Sequence, residues 1–144
     1  MSMKETYVEN LRKSNFKITP QRLEVINFLE KGNYNHFTAE DVYSSVKESE
    51  PTITLATVYN ILRALKESGN INSFEVNGKT WFETNVQFHG NLVCDSCGKI
   101  IDEEVDPGRF ADLSSEASYK ITGANLVMRG LCPECNSAEQ IENH

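Results

Sequence analysis

The sequence predicts an α+β protein in two parts: an N-terminal winged helix-turn-helix domain and a C-terminal α/β domain with a four-cysteine zinc site. Three observations predict it. Helical stripes with clear start signals fill the first half. The strongest short hairpin turn, Asn77-Gly78, follows the last of them. Two Cys-x-x-Cys pairs then mark the second half.

The helices are justified one by one. A first helix is expected over Lys4 to Ser14. Thr19-Pro20 supplies an N-cap with proline at the first helical position, Val25, Ile26, Phe28 and Leu29 follow, and Gly32 stops the run. Thr38-Ala39-Glu40-Asp41 resembles a capping box, and Ala39, Val42, Tyr43 and Val46 form one apolar stripe behind it. Thr54 caps the next helix, with Val58, Ile61, Leu62 and Leu65 as its stripe and Gly69 at its end. Ile71 to Val76 and Lys79 to Glu83 flank Asn77-Gly78 as a two-stranded wing. A generic small α+β domain is the plainer alternative.

Residues 85–88 are the expected hinge, separating a winged-helix domain over 1–84 from a second domain over 89–144. Beyond the hinge, strands are expected over Asn91 to Val93, Lys99 to Val105 and Lys120 to Leu131, with a helix over Pro107 to Ser118 and a frayed polar tail from Asn136.

Composition narrows the function. The 144 residues include no stretch approaching 18 consecutive apolar residues and no export signal, so a cytoplasmic protein without membrane partners is expected. The net charge is -7, which counts against a simple nucleic-acid binder. It is unevenly placed: residues 1–84 carry 10 basic and 11 acidic side chains, residues 85–144 carry 4 and 10. Only the first half can present a basic face.

Opposite its apolar stripe, the Thr54-capped helix carries Ala56, Thr57, Tyr59, Asn60 and Arg63. Small residues at the start of a recognition helix let it approach base edges; Asn60 can pair with adenine, Arg63 with guanine or phosphate, and Tyr59 with phosphate. Arg22, Lys13, Lys17 and Lys79 are further phosphate candidates. An ordinary solvated face would look similar.

Cys94-Asp95-Ser96-Cys97 and Cys132-Pro133-Glu134-Cys135 form two knuckles. Four thiolates at tetrahedral geometry suit Zn(II), here as a staple across a whole subdomain. Two rivals use the same residues: a thiol oxidoreductase acting through Cys132, and a rubredoxin-like iron centre for electron transfer. His36 and His89 lie at opposite sides of the expected interdomain cleft, with Glu83 and Asp102 nearby in sequence. Imidazole and carboxylate together suit Fe(II), Mn(II) or Zn(II).

Five segments carry a resemblance to a known family: Ile18-Thr19-Pro20-Gln21-Arg22, His36-Phe37-Thr38-Ala39-Glu40-Asp41-Val42-Tyr43, Leu55-Ala56-Thr57-Val58-Tyr59-Asn60-Ile61-Leu62, His89-Gly90-Asn91-Leu92-Val93-Cys94 and Cys94-Asp95-Ser96-Cys97-Gly98-Lys99-Ile100. Along nearly its full length the chain resembles the ferric uptake regulator superfamily. The resemblance implies a homodimer joined through the C-terminal domain, a structural zinc on Cys94, Cys97, Cys132 and Cys135, and a regulatory Fe(II) or Mn(II) at the hinge. Metal binding then sets the spacing of two winged helices on double-stranded operator DNA, giving a repressor and not an enzyme. Carried over by position, the regulatory ligands are His36, Glu83, His89, Asn91 and Asp102. Asn91 stands where many members have a second histidine, and Glu83 stands where peroxide sensors usually have aspartate. Asp102 and the six-residue step from Glu83 to His89 fit the peroxide-responsive branch, in which iron-bound histidine is oxidised. A reversible iron- or manganese-responsive repressor is the alternative, which Glu83 favours. A zinc-responsive member is disfavoured, since no spare cysteine remains.

Overall fold

A computed structural model describes residues 2–32, 35–109, 118–120 and 124–142. The chain divides into two compact units, Met1–Val86 and Gln87–His144.

The first unit runs α1 (Met3–Lys13), α2 (Pro20–Lys31), β1 (His36–Phe37), α3 (Ala39–Val46), α4 (Leu55–Glu67), β2 (Asn72–Val76) and β3 (Lys79–Glu83). Each start expected from the sequence is built as a cap. Thr19 Oγ1 accepts from the Arg22 N–H at 3.2 Å. Thr38 and Asp41 form a reciprocal capping box, at 2.9 and 3.2 Å. Thr54 Oγ1 accepts from the Thr57 N–H at 3.1 Å. These bonds satisfy amides that a helix start would otherwise leave unpaired. The hairpin turns at Asn77 (φ 52) and Gly78 (φ 80), the pair of positive φ values that a two-residue primed turn requires.

The apolar stripes meet in one core. Leu11, Val25, Ile26, Phe37, Val42, Val58 and Leu62 are all fully shielded from solvent. β1 was not foreseen; two residues carry too little pattern to register as a strand. It pairs antiparallel with β3, in a sheet ordered β1-β3-β2. Its Phe37 stacks on Phe82, centroids 6.0 Å apart, which anchors the strand in the core.

The second unit carries β4 (Gly90–Cys94), β5 (Ile100–Glu103), β6 (Leu126–Gly130) and α5 (Pro133–Glu142). The sheet order is β5-β4-β6, with β4 antiparallel to β5 and parallel to β6. Two expectations are corrected. The last strand covers only Leu126–Gly130, within the longer span expected from Lys120 to Leu131. Over 136–142 the tail is not frayed: it belongs to helix α5, whose first turn closes with the Asn136 N–H donating to the Cys132 carbonyl at 2.8 Å. Proline at the first helical position and Glu134 in the first turn favour that start. Polarity had signalled fraying, but a polar segment can also be a solvent-facing helix. The helix expected over Pro107 to Ser118 falls mostly on residues 110–117, outside the described residues.

Candidate metal centres and nucleic-acid interface

The four cysteines converge. β4 ends at Cys94, the turn through Gly98 (φ 78) returns the chain past Cys97, and β6 leads to Cys132 at the mouth of α5. Their Sγ atoms all lie within 4.8 Å of one another. Cys97 Sγ and Cys132 Sγ are 3.9 Å apart. Tetrahedral zinc with bonds of about 2.3 Å sets sulfur–sulfur separations near ~3.8 Å, so the donor set fits. The backbone also prepares it. The Cys132 and Cys97 N–H groups donate to Cys94 Sγ at 3.4 and 3.5 Å. These bonds, that from Cys132 first, lower the Cys94 pKa to about 6 and so favour the thiolate a metal needs. Cys135 is pushed up to about 12, first by its hydrogen bond with Cys132.

Each unit also holds a histidine facing a carboxylate. In the first, His36 on β1 stands opposite Glu83 on β3, with Nε2 and Oε2 3.7 Å apart. Glu83 is 2% exposed. Phe74 meets the His36 ring edge-on at 6.0 Å and helps fix its plane. In the second unit, Asn91 and Asp102 are register partners across β4 and β5. His89, one residue before β4, sets Nε2 3.5 Å from Asp102 Oδ1. His89 and Asn91 are both buried. His89 Nδ1 lies 2.6 Å from the Gln87 carbonyl. That carbonyl can only accept, so Nδ1 carries the proton and Nε2 keeps its lone pair for a metal. Both imidazole–carboxylate spacings are long for hydrogen bonds and suit two ligands of one ion with bonds near ~2.1 Å. Gln87 and Phe74 escaped sequence reasoning: a carbonyl has no residue-type signature, and an edge-on ring contact across strands has no spacing signature.

The expected DNA-reading residues lie on the open side of α4. Ala56, Asn60 and Arg63 are exposed, Thr57 and Tyr59 half-buried. One cleft brings Lys17 and Arg22 beside Thr57 and Asn60. Arg22 is held from two sides there: its guanidinium donates to the Lys17 carbonyl at 2.6 Å and lies 5.5 Å from the Phe16 ring centroid. A second cleft brings Lys79 beside Tyr59. Lys13 lines neither cleft and pairs with Glu9 on α1 at 3.0 Å. Tyr59 donates its hydroxyl to Glu40 Oε1 at 3.2 Å, a partner the sequence did not point to. Its phenol pKa is raised, by burial first and then by the Glu40 carboxylate. No helix among the described residues is long and apolar enough to cross a membrane.

Comparison with known proteins accounts for this combination. Residues 13–129 match the model of the ferric uptake regulator family. The peroxide operon regulator of Bacillus subtilis is 31% identical over 136 residues, covering 92% of this chain and 92% of that protein. The ferric uptake regulation protein of Legionella pneumophila is 33% identical over 133 residues, covering 88% and 96%. The solved structure of the Helicobacter pylori ferric uptake regulator, described as having three functional metal-binding sites, superposes with a TM-score of 0.72 at 26% identity, covering 92% and 93%. With four thiolates gathered as for zinc, an imidazole–carboxylate pair of metal-ligating type in each unit, and a winged helix presenting an open α4, this chain belongs to the ferric uptake regulator family.

Proposed function

We propose that this metal-responsive repressor is a peroxide sensor, in which peroxide oxidises a histidine ligand of a regulatory Fe(II). Cys94, Cys97, Cys132 and Cys135 hold a structural zinc. His36, Glu83, His89, Asn91 and Asp102 are the regulatory ligands. The homodimer binds double-stranded operator DNA through Ala56, Thr57, Tyr59, Asn60 and Arg63, with Arg22, Lys13, Lys17 and Lys79 on phosphates. The observation that carries the reading is the pair of oriented imidazoles, above all His89, whose protonated Nδ1 at the Gln87 carbonyl leaves Nε2 as a donor beside Asp102.

Fe(II) held by His36, Glu83, His89, Asn91 and Asp102 would supply the redox chemistry that cleaves peroxide beside an imidazole. The protein's own part is placement. Strand pairing sets His36 against Glu83 and Asn91 against Asp102, and burial of His89 keeps bulk water from competing for its nitrogen. Asn91 offers a neutral oxygen in place of an imidazole, which leaves a harder, oxygen-richer set suited to Fe(II) and Mn(II).

The test is mass analysis of Fe(II)-loaded protein before and after brief peroxide exposure, with a Mn(II)-loaded control. Added oxygen on the peptide bearing His36 or His89, with iron only, is expected. DNA binding that survives peroxide, with no oxidised histidine, would overturn peroxide sensing. The reading would then become a reversible iron- or manganese-responsive repressor, which the longer Glu83 carboxylate favours.

A further inference from the structure

The bond between Glu40 and Tyr59 joins two helices at the proposed DNA-reading face. α3 spends one of its first-turn carboxylates on its own cap, since Asp41 accepts from the Thr38 N–H. Glu40, its neighbour, is not used in that cap and is exposed. Its Oε1 accepts the hydroxyl of Tyr59, 19 residues away on α4, at 3.2 Å. Lys79 lines the same cleft, but its ammonium lies over the Trp81 ring, 4.9 Å from the centroid. The cleft beside Tyr59 therefore combines a carboxylate, a phenol whose hydroxyl proton is engaged by that carboxylate, and a cation drawn toward an aromatic face.

That arrangement has a chemical consequence. A phenol has one proton and two lone pairs. With the proton committed to Glu40, Tyr59 can accept a hydrogen bond but not donate one. Phosphate oxygens only accept, so they gain nothing from such a hydroxyl and are repelled by the carboxylate behind it. Donors in the major groove are the exocyclic amines of adenine and cytosine. Repulsion of the wrong partner is as effective a source of specificity as attraction of the right one.

We propose that Glu40 is a specificity-determining residue of the DNA-reading face, because it turns the Tyr59 hydroxyl into an acceptor that addresses a base amine and not the phosphate backbone. Glu40 acts here as a positioning residue, and the group that touches DNA is Tyr59. The inference rests on the DNA-binding reading above and revises the phosphate role expected for Tyr59.

The experiment selects duplexes from a random-sequence pool with Mn(II)-loaded full-length protein, as wild type, Glu40→Ala, Tyr59→Phe and the double variant. Circular dichroism melting checks each fold. Wild type is expected to enrich a site with about a 10-fold preference for an adenine or cytosine amine at one position. Both single variants lose that preference at the same position, and the double variant loses nothing more there. Glu40→Ala also binds unselected DNA more tightly and with a steeper salt dependence, whereas Tyr59→Phe leaves salt dependence unchanged. Three results would overturn the proposal: unchanged preferences in Glu40→Ala, losses at different positions in the two single variants, or equal weakening on all sequences in Tyr59→Phe. If wild type itself enriches no sequence, the DNA-binding reading falls and this inference with it. That outcome is separate from failure of the variants alone.

Discussion

The two units are held together by different physics. In the first, helix stripes and strand faces fill one apolar core, from Tyr7 and Leu11 through Phe82. In the second, Val93 and Cys94 are the only buried apolar side chains among the described residues, while His89 and Asn91 are buried polar ones. Ile101 and Leu131 remain 45% and 40% exposed. A unit this small buries too little apolar surface to be stable by burial alone. A metal on the thiolate cluster would add to that stability, because metal binding free energy is folding free energy where the ligands converge only in the folded state. The first unit is therefore a scaffold that keeps its shape without metal. The second is expected to owe its shape to metal on the four cysteines.

The sharpest way to break this contrast is to remove the zinc. Cys132→Ser is expected to lose the metal and the order of the second unit, forfeiting about 10–16 kcal/mol of binding free energy. The first unit should keep its slow amide exchange. Hydrogen exchange with zinc quantification checks both, and a second unit that stays protected without zinc would end the contrast. The converse change is Leu62→Ala, in the centre of the first core. It should destabilise that unit by about 2–5 kcal/mol in a denaturant melt, with zinc content unchanged.

The same contrast explains what was legible in the sequence. Caps, stripes and the Asn77-Gly78 turn are local signals, so α2, α3, α4 and the wing could be read directly. The cysteine pairs were legible because zinc demands a fixed ligand type and spacing. Among the described residues of the second unit few apolar side chains are buried, so little hydrophobic periodicity is written there. The last strand is accordingly shorter than its sequence suggests, and α5, polar along most of its length, reads in the sequence as a loose end. Among site residues, His36, Glu83, His89, Asn91 and Asp102 were singled out by type and resemblance. The groups that orient them, the Gln87 carbonyl in the bend before β4 and Phe74 on β2, are set by tertiary geometry. Glu40 was visible only as part of a capping signature, and its bond to Tyr59 is a tertiary fact.

Loss of a proposed ligand in the first unit tests whether metal for folding and metal for regulation are separate. His36→Ala removes an imidazole from a unit that does not depend on metal for its core. Mn(II) affinity should fall by about 100-fold or more, beyond the range seen when only a group supporting a ligand is lost. Zinc content and melting should hold, and metal-dependent DNA binding should vanish. Titration of Mn(II) against each protein measures the first; an unchanged Mn(II) requirement would remove His36 from the ligand set.

The smallest expected effect probes how finely the first unit's stability is divided. Thr54 caps α4 by accepting the Thr57 N–H, and its Oγ1 lies 2.9 Å from Thr57 Oγ1. Thr54→Ala orphans that amide at the start of the helix carrying the DNA-reading residues, at a cost of about 1 kcal/mol. Thr54→Ser keeps the hydroxyl and should restore most of it. Because α4 is also pinned by Val58, Ile61, Leu62 and Leu65 along its length, loss of the cap should fray its first turn without moving the rest. Faster exchange confined to residues 55–57, with unaltered zinc content, is the expected signature. A loss spread over the whole unit would mean that the cap, and not the buried stripe, holds α4 in place.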